Sequence, residues 1–387
     1  MNKKELELYI HIPFCVKKCS YCDFLSAPST EQTREDYMAA LFAEIGGRAG
    51  DYGDRIVTSI FIGGGTPSLL SGESIRQLME CIREHFVLAE DVEITMEVNP
   101  GTATAQKLRE FYAVGINRLS IGMQSAQAQE LKLLGRIHDL DGFCQVYREA
   151  VEAGFANINV DVMSGLPGQT LASYLDTLKK VLHLEPVPQH ISAYSLIVEE
   201  GTPFAAMAER GELPLPEEDT ERAMYEETIR TLAKYGFHRY EISNYARDGY
   251  ECRHNTGYWI RRDYLGFGIG AASLIDNVRF RNGRDLSTYL AHPLDCREEE
   301  QTLTTQEQME ETMFLGLRLT RGVSCRQFEK QYGKSMEEVY GEVIARNVSD
   351  GLLEITGKKD TEKGEYFLAL TERGLDLSNY VMAQFLF

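Results

Sequence analysis

The chain is poor in positive charge and has no long apolar segment. Its 387 residues carry 40 basic and 59 acidic side chains, a formal net charge of −19, so it lacks the basic surface that a general nucleic-acid binder requires. No run approaches the ~18 consecutive apolar residues of a membrane-spanning helix. The N-terminal residues MNKKELELYIHIPFC contain neither the apolar core nor the cleavage site of a secretory signal. We therefore expect a cytoplasmic protein that neither binds nucleic acid nor inserts stably into a membrane.

The first half of the chain alternates short apolar runs with longer segments of helical periodicity. Strands are predicted at 6–13, 57–63, 92–98, 118–123, 157–163 and 190–196, and helices at 37–47, 74–86, 105–113, 141–153 and 171–182. Strands that alternate with such helices form parallel βαβ units. Six units predict an α/β fold with a partial (β/α)6 barrel, because a closed barrel needs eight. An open doubly wound sheet is the alternative, but the first strand lacks the GxGxxG turn typical of it.

The pattern changes after the sixth strand. A Pro- and Glu-rich connection at 198–218 precedes a predicted helix at 220–235, and residues 238–273 are aromatic and rich in Gly and Asn, with no clear period. Beyond residue 300 the sequence predicts two or three amphipathic helices, strands at 352–356 and 366–370, and a final helix from residue 375. Helices followed by a small hairpin indicate an α+β, winged-helix-like domain. Three regions are therefore expected, at 1–197, 198–300 and 301–387.

Three of the eight cysteines form a C-x3-C-x2-C motif just after the first predicted strand, at Cys15, Cys19 and Cys22. In a reducing compartment, cysteines are more often ligands or catalysts than disulfides. Three thiolates on one short loop can hold three corners of a 4Fe–4S cluster and leave one iron open. A structural zinc site would need a fourth ligand, and His11 is poorly placed for this inside a strand. The other cysteines have no assigned role: Cys81, Cys144, Cys252, Cys296 and Cys325.

The cysteine motif resembles that of the radical S-adenosylmethionine (SAM) superfamily, and the glycine run at 63–67 is similar to the SAM-binding motif of that family. The resemblance covers nearly the whole chain, through the segments YIHIPFC, FIGGGTPS, MEVNPG, RLSIGMQS, GRIH, NINVDVMSGLPGQT and HISAYSL. It is strongest to the branch that holds oxygen-independent coproporphyrinogen III dehydrogenase and the HemW-type heme chaperones. The resemblance implies a 4Fe–4S cluster on the three cysteines, with SAM on its open iron. It implies SAM contacts from Tyr9, Gly64, Gly65, Thr66, Glu97, Gln124, Arg136 and Asp161.

Two features separate the branches. The dehydrogenase carries a further cysteine two residues after the third one, where this chain has Phe24, and it has a long extension before its cysteine loop. The segment HNTGYW at 254–259 matches the HNxxYW motif of the heme chaperones, which implies heme binding by His254, Asn255, Tyr258 and Trp259. Imidazole is a common ligand of heme iron, and aromatic rings can flank a porphyrin. Arg253, Arg261 and Arg262 are near enough in sequence to pair with heme propionates.

We therefore expect a heme chaperone that binds heme, a 4Fe–4S cluster and SAM, and passes heme to apo-hemoproteins such as respiratory cytochromes. The cluster and SAM would then serve homodimerisation, regulation or a radical step. The alternative is an oxygen-independent coproporphyrinogen III dehydrogenase, in which a radical made from SAM abstracts hydrogen from propionate side chains and the porphyrin is decarboxylated. A third class, a protein with a purely structural cluster, would bind neither SAM nor heme.

Overall fold

Six parallel strands form the centre of a computed structural model that describes residues 3–357 and 365–386. They are β1 (Lys4–Ile12), β2 (Arg55–Gly64), β3 (Leu88–Val98), β4 (Arg118–Gln124), β5 (Ile158–Ser164) and β6 (His190–Ser195). Each strand pairs with the next in parallel register. The strand residues that pack against the surrounding helices are apolar and almost fully buried, among them Leu8, Ile60 and Ile121, whereas alternate residues such as Ser120 and Asp161 point to the inside of the barrel. The prediction of a partial (β/α)6 barrel is confirmed.

Helices connect these strands and cover the outer face of the sheet. They are α1 (Glu31–Arg48), α2 (Gly72–His85), α3 (Ala105–Ala113), α4 (Ala128–Leu134), α5 (Leu140–Ala153) and α6 (Leu171–Leu182). Five begin at a Ser, Thr or Asp whose side chain accepts a hydrogen bond from a backbone N–H of the first turn. The short helix α4 was not predicted, because seven residues are too few to show a clear period.

The middle part of the chain adds to both edges of the same sheet. Its elements are α7 (Pro203–Glu209), α8 (Glu218–Lys234), β7 (His238–Arg239), β8 (Asn244–Ala246), α9 (Arg253–Trp259), β9 (Tyr264–Phe267), β10 (Ala272–Ile275), β11 (Val278–Asn282), α10 (Leu286–Ala291) and β12 (Arg297–Thr302). The resulting twelve-stranded sheet has the order β12-β11-β10-β9-β1-β2-β3-β4-β5-β6-β8-β7. Thus β9 lies parallel to β1, and β8 lies antiparallel to β6.

These added strands were not predicted, because they are too short to show a clear alternation of apolar and polar residues. The turns between them are the recognisable feature of this part of the sequence. The hairpin between β10 and β11 turns at Asp276 and Asn277, which both have positive φ (48° and 64°). Two consecutive residues in this conformation are typical of a type I′ hairpin turn, for which Asn and Asp are well suited. The aromatic, Gly-rich segment 238–273 therefore contains short strands of this sheet and helix α9.

The C-terminal domain has its own small core. Its elements are α11 (Thr305–Gly316), β13 (Val323–Ser324), α12 (Cys325–Tyr332), α13 (Met336–Ser349), β14 (Leu353–Gly357), β15 (Tyr366–Leu370), α14 (Glu372–Asp376) and α15 (Ser378–Ala383). The strands form an antiparallel sheet in the order β13-β15-β14, and Phe328, Val381, Met382 and Phe385 are buried beneath it. Five helices around a small antiparallel sheet agree with the winged-helix-like prediction. Within the described ranges, no helix has the length and apolarity needed to cross a membrane.

Candidate functional site

The three clustered cysteines line a cavity of about 390 Å³ at the C-terminal ends of the parallel strands. This end of a (β/α) barrel is where ligands bind, because the connecting loops converge there. The same cavity is lined by seven of the eight residues expected to contact SAM: Gly64, Gly65, Thr66, Glu97, Gln124, Arg136 and Asp161. The structure therefore brings together residues that lie up to 146 positions apart in the chain, as Cys15 and Asp161 do.

Two donors point at the cysteine sulfurs. The Thr66 hydroxyl donates to Cys15 Sγ at 3.4 Å, and Arg136 Nη1 donates to Cys19 Sγ at 3.8 Å. Donors of this kind stabilise thiolates and tune the potential of an iron–sulfur cluster. Burial raises the pKa of the Cys22 thiol to about 11, so metal binding at this loop must release a proton.

The cysteines are not arranged around a single metal ion. Among residues 3–357 and 365–386, no three His, Cys, Asp or Glu side chains form a group that could hold one. A cubane cluster differs from a single ion because each sulfur binds a separate corner. The loop, the donors on its sulfurs and the adjoining cavity fit a 4Fe–4S cluster.

The glycine run at the end of β2 is required by close backbone packing. Gly64 has a φ of 112°, and a Cβ there would lie 2.6 Å from the His11 ring. A Cβ on Gly65 would lie 2.7 Å from the carbonyl oxygen of Phe14. The Gly64 N–H donates to Glu97 Oε2 at 3.0 Å. Residues with side chains at these two positions would displace the strand that leads into the cysteine loop.

Two buried carboxylates give the cavity its electrostatic character. Burial, and to a lesser extent the neighbouring Asp161, raise the pKa of Glu97 to about 8. Asp161 accepts hydrogen bonds from Ser120 Oγ at 3.2 Å and from Asn159 Nδ2 at 2.7 Å, although burial still raises its pKa. A cavity wall with two such groups suits a ligand that carries an ammonium or sulfonium group and hydroxyls.

A second cavity, of about 570 Å³, adjoins the first and is mainly aromatic and aliphatic. It is lined by Tyr9, His11, Phe24, Leu25, Gly64, Glu97, Tyr258, Trp259, Tyr264, Gly270, Ala272, Leu274, Arg279 and Leu315. Phe24, Gly64 and Glu97 also line the first cavity, so the two spaces share a wall. Tyr9, the eighth residue expected to contact SAM, lies on the side of the second cavity.

The HNxxYW segment forms helix α9 and divides its residues among three environments. Asn255 lines the first cavity, and Tyr258 and Trp259 line the second. One face of the Trp259 ring is covered by the Arg318 guanidinium, 4.3 Å from the ring centroid. His254 lines neither cavity and is fully buried. Consecutive helical residues point in directions about 100° apart, which is why one short motif reaches both cavities and the core.

His254 is held by contacts on every side. Its Nδ1 lies 2.8 Å from Ser59 Oγ and its Nε2 lies 2.9 Å from the Tyr258 hydroxyl. The ring stacks on Phe61 with centroids 5.2 Å apart, and its backbone N–H donates to Glu93 Oε1 at 3.2 Å. Burial lowers the pKa of His254 to about 3, so the imidazole is neutral at physiological pH.

The three arginines expected to face heme propionates have carboxylate partners instead. Arg253 pairs with Asp91 at 2.8 Å, Arg261 with Glu311 at 3.0 Å and Arg262 with Glu5 at 2.9 Å. The structure does not support that expectation, which rested on closeness in sequence alone. The arginine that lines the apolar cavity is Arg279, and sequence reasoning missed it because its place follows from the unpredicted hairpin of β10 and β11.

Comparisons with known proteins show the family and the fold of the chain. Residues 9–181 match the family model of the radical SAM superfamily, and residues 303–377 match that of the HemN C-terminal domain. The chain is 38% identical to the heme chaperone HemW of Bacillus subtilis, over 98% of both chains. It is 41% identical to the heme chaperone HemW of Escherichia coli, over 74% of both chains. Among solved structures, coproporphyrinogen III oxidase (HemN) from Escherichia coli superposes with a TM-score of 0.85 and 27% identity, covering 99% of this chain and 90% of that one.

Proposed function

The chain belongs to the radical SAM superfamily and, within it, to the family of the heme chaperone HemW, and from this premise we propose that it binds heme and transfers it to apo-hemoproteins such as respiratory cytochromes. The observation that carries the proposal is the aromatic cavity lined by Tyr258 and Trp259 of the HNxxYW segment. Its volume of about 570 Å³ lies within the ~300–1,000 Å³ typical of sites for organic ligands. The proposal requires that the three cysteines stay reduced and able to bind the cluster. A cytoplasmic location fits this requirement, because thiols are kept reduced there.

The cysteine loop and its cavity fit the cofactors of the superfamily. Cys15, Cys19 and Cys22 would hold the cluster, with Thr66 and Arg136 donating to its thiolates. Glu97, Asp161 and Gln124 would orient SAM by its polar groups, and Gly64 and Gly65 would let it approach the backbone. When bound, the cluster and SAM supply reductive cleavage of SAM to a carbon radical.

We further propose that His254 Nε2 binds the heme iron after Tyr258 moves. The Ser59 hydroxyl hydrogen-bonds to the Glu7 carboxylate and lies 2.8 Å from His254 Nδ1; donating to Glu7, its oxygen accepts from Nδ1, which favours the tautomer with its hydrogen on Nδ1 and the lone pair on Nε2. The Tyr258 hydroxyl then donates to that lone pair across 2.9 Å. Since Tyr258 also lines the apolar cavity, a rotation of this one side chain would open the nitrogen towards bound heme.

A heme titration followed by the Soret band tests the proposal. Wild type is expected to bind heme and to shift the band, and His254→Ala is expected to bind about tenfold more weakly, as loss of one iron ligand implies. His183→Ala is the matched control, because His183 is exposed and bonds only to its own helix. Failure of wild type to bind heme would contradict the proposal, and undiminished binding by His254→Ala would remove that residue as the ligand.

The second candidate function, oxidative decarboxylation of coproporphyrinogen III, is favoured by one observation. The two cavities share Phe24, Gly64 and Glu97, so a porphyrinogen in the second cavity would lie next to SAM in the first. Anaerobically reconstituted protein should be incubated with coproporphyrinogen III, SAM and a reductant. We expect no protoporphyrinogen IX, and its formation over repeated turnovers would establish the dehydrogenase instead.

A further inference from the structure

We infer that Arg279 is the residue that recognises a carboxylate of the ligand in the apolar cavity, an inference that rests on the proposed heme-binding function. The cavity wall is formed mostly by aromatic and aliphatic side chains, among them Tyr258, Trp259, Leu274 and Leu315. A ligand with a flat apolar body and acidic groups at one edge needs a cation at one place on such a wall. Among the residues that line this cavity, Arg279 is the one lysine or arginine.

The other ionisable residues on the wall do not supply a cation. His11 is buried, and burial lowers its pKa, so its ring is neutral at physiological pH. Its Nε2 lies 2.9 Å from the Leu25 carbonyl oxygen and its Nδ1 lies 3.0 Å from the Tyr9 hydroxyl, which leaves neither nitrogen available. Glu97 is an acid. A carboxylate that enters the cavity therefore finds its favourable partner at Arg279.

Arg279 is anchored on one side and open on the other. Its Nη1 donates to Glu311 Oε1 at 2.6 Å, while the side chain stays 39% exposed. Glu311 is shared, because it also pairs with Arg261 at 3.0 Å, whose side chain is only 3% exposed. One carboxylate thus serves two guanidinium groups, and the buried Arg261 is the better enclosed of the two.

The remaining partners of Arg279 do not use up its donors. Its second hydrogen-bonding neighbour is Tyr264, which lines the same cavity. Glu307 also interacts with Arg279 electrostatically, but its carboxylate accepts hydrogen bonds from Thr304 and Gln301. A guanidinium has five N–H donors in a planar fork and can bind a carboxylate through two of them. Held by Glu311 at one end, Arg279 is positioned to offer the others to the cavity.

The neighbouring strand position provides a matched control. Arg281 lies on the same strand, and its side chain is 38% exposed and pairs with a single carboxylate, Glu299. It does not line the apolar cavity, although it lies only two positions from Arg279. Substitution of either arginine by glutamine removes one exposed charge and one ion pair, but only the change at 279 alters the cavity.

The test compares heme with heme dimethyl ester, which lacks free carboxylates, by Soret titration of the full-length protein. Wild type should bind heme about tenfold more tightly than the ester, which is a difference in binding free energy of about 1.4 kcal/mol. Arg279→Gln should lose this preference by binding heme more weakly and the ester unchanged. Arg281→Gln should behave as wild type.

Each outcome has one meaning. Equal affinity of wild type for heme and its ester would overturn the inference even if Arg279→Gln failed to fold. A preference for heme that survives in Arg279→Gln would overturn it as well. An equal loss of affinity for heme and for the ester in that variant would also overturn it, because this would indicate a structural role for Arg279. Absence of heme binding by wild type would contradict the proposed function itself, and with it this inference.

Discussion

The hydroxyl of Tyr258 lies 2.9 Å from Nε2 of His254, one helical turn earlier in the same helix. The two side chains therefore hydrogen-bond to each other within α9. If His254 binds iron, the hydroxyl competes with the metal for one nitrogen. The HNxxYW segment would then contain both the proposed ligand and the group that covers it.

The substitution Tyr258→Phe removes the competing hydroxyl. In Tyr258→Phe the Nε2 lone pair loses its donor, and heme affinity should rise about fivefold, since a net hydrogen bond contributes ~1 kcal/mol. Soret titrations would measure this. The control Tyr174→Phe removes another buried hydroxyl, which lies 2.7 Å from Thr228 Oγ1. It should leave the heme affinity unchanged. A weaker complex in Tyr258→Phe would show that the hydroxyl supports heme and does not block it.

The second prediction concerns the start of helix α9. Glu93 accepts the backbone N–H groups of Arg253 at 3.1 Å and His254 at 3.2 Å, and it is buried. In Glu93→Gln an amide NH2 replaces one acceptor, so a buried donor is left unpaired, and the free energy of unfolding should fall by about 2 kcal/mol. Urea denaturation would measure this. Glu80→Gln, which breaks an exposed pair with Arg76, should change it by less than about 0.5 kcal/mol.

The third prediction follows from the raised pKa of Glu97. An unfolded glutamate has a pKa of ~4.3, whereas burial and Asp161 raise the pKa of Glu97 to about 8 in the folded protein. Between these values the folded state holds a proton that the unfolded state has lost. The contribution of Glu97 to the free energy of unfolding is therefore most favourable at the acidic end of this window and falls as the pH rises towards 8.

Chemical denaturation at pH 6 and pH 8 would test this dependence. Glu97→Gln cannot ionise, so it should lose less stability between the two pH values than wild type does. Glu342→Gln, at an exposed position, should keep the wild-type dependence. An identical pH dependence in Glu97→Gln and wild type would mean that Glu97 ionises normally in the folded protein.

The fourth prediction concerns the donor on Cys15. Thr66→Val keeps the shape of the side chain but removes the hydroxyl 3.4 Å from Cys15 Sγ. A cluster on a thiolate that has lost a donor is harder to reduce, so its reduction potential should become more negative. A redox titration followed by electron paramagnetic resonance would detect this. Thr102→Val removes a hydroxyl that bonds to Ser68 instead, and an equal shift in that variant would argue against a direct effect.

The central strands could be predicted from the sequence because each is a short apolar run between helices with clear caps. The six strands and the helix at Ala105–Ala113 lie where the periodicity placed them. The cysteine loop and most of the expected SAM contacts also converge, because strand ends of a parallel sheet meet at one edge. For this part of the chain, the local sequence patterns locate the strands, and the parallel topology then places the residues at the strand ends close together.

The second cavity could not be predicted in this way. Its walls come from β1, the loop after Cys22, helix α9, the β10–β11 hairpin and helix α11, which are far apart in sequence. Arg279 lies in a five-residue strand whose partner strands were not predicted. The burial of His254 depends on Ser59, Phe61 and Glu93 from two other strands, and no local pattern contains that information.

The pairing of β9 with β1 has a consequence for the order in which the protein can assemble. The strand β1 is synthesised long before Tyr264–Phe267, which is one of its two neighbours, so that edge stays unpaired until this later segment has been made. Contacts of such long sequence separation form slowly, and an open strand edge can pair with other chains. The cysteine loop directly follows β1, so we expect its final position, and with it stable cluster insertion, to follow the pairing of β9.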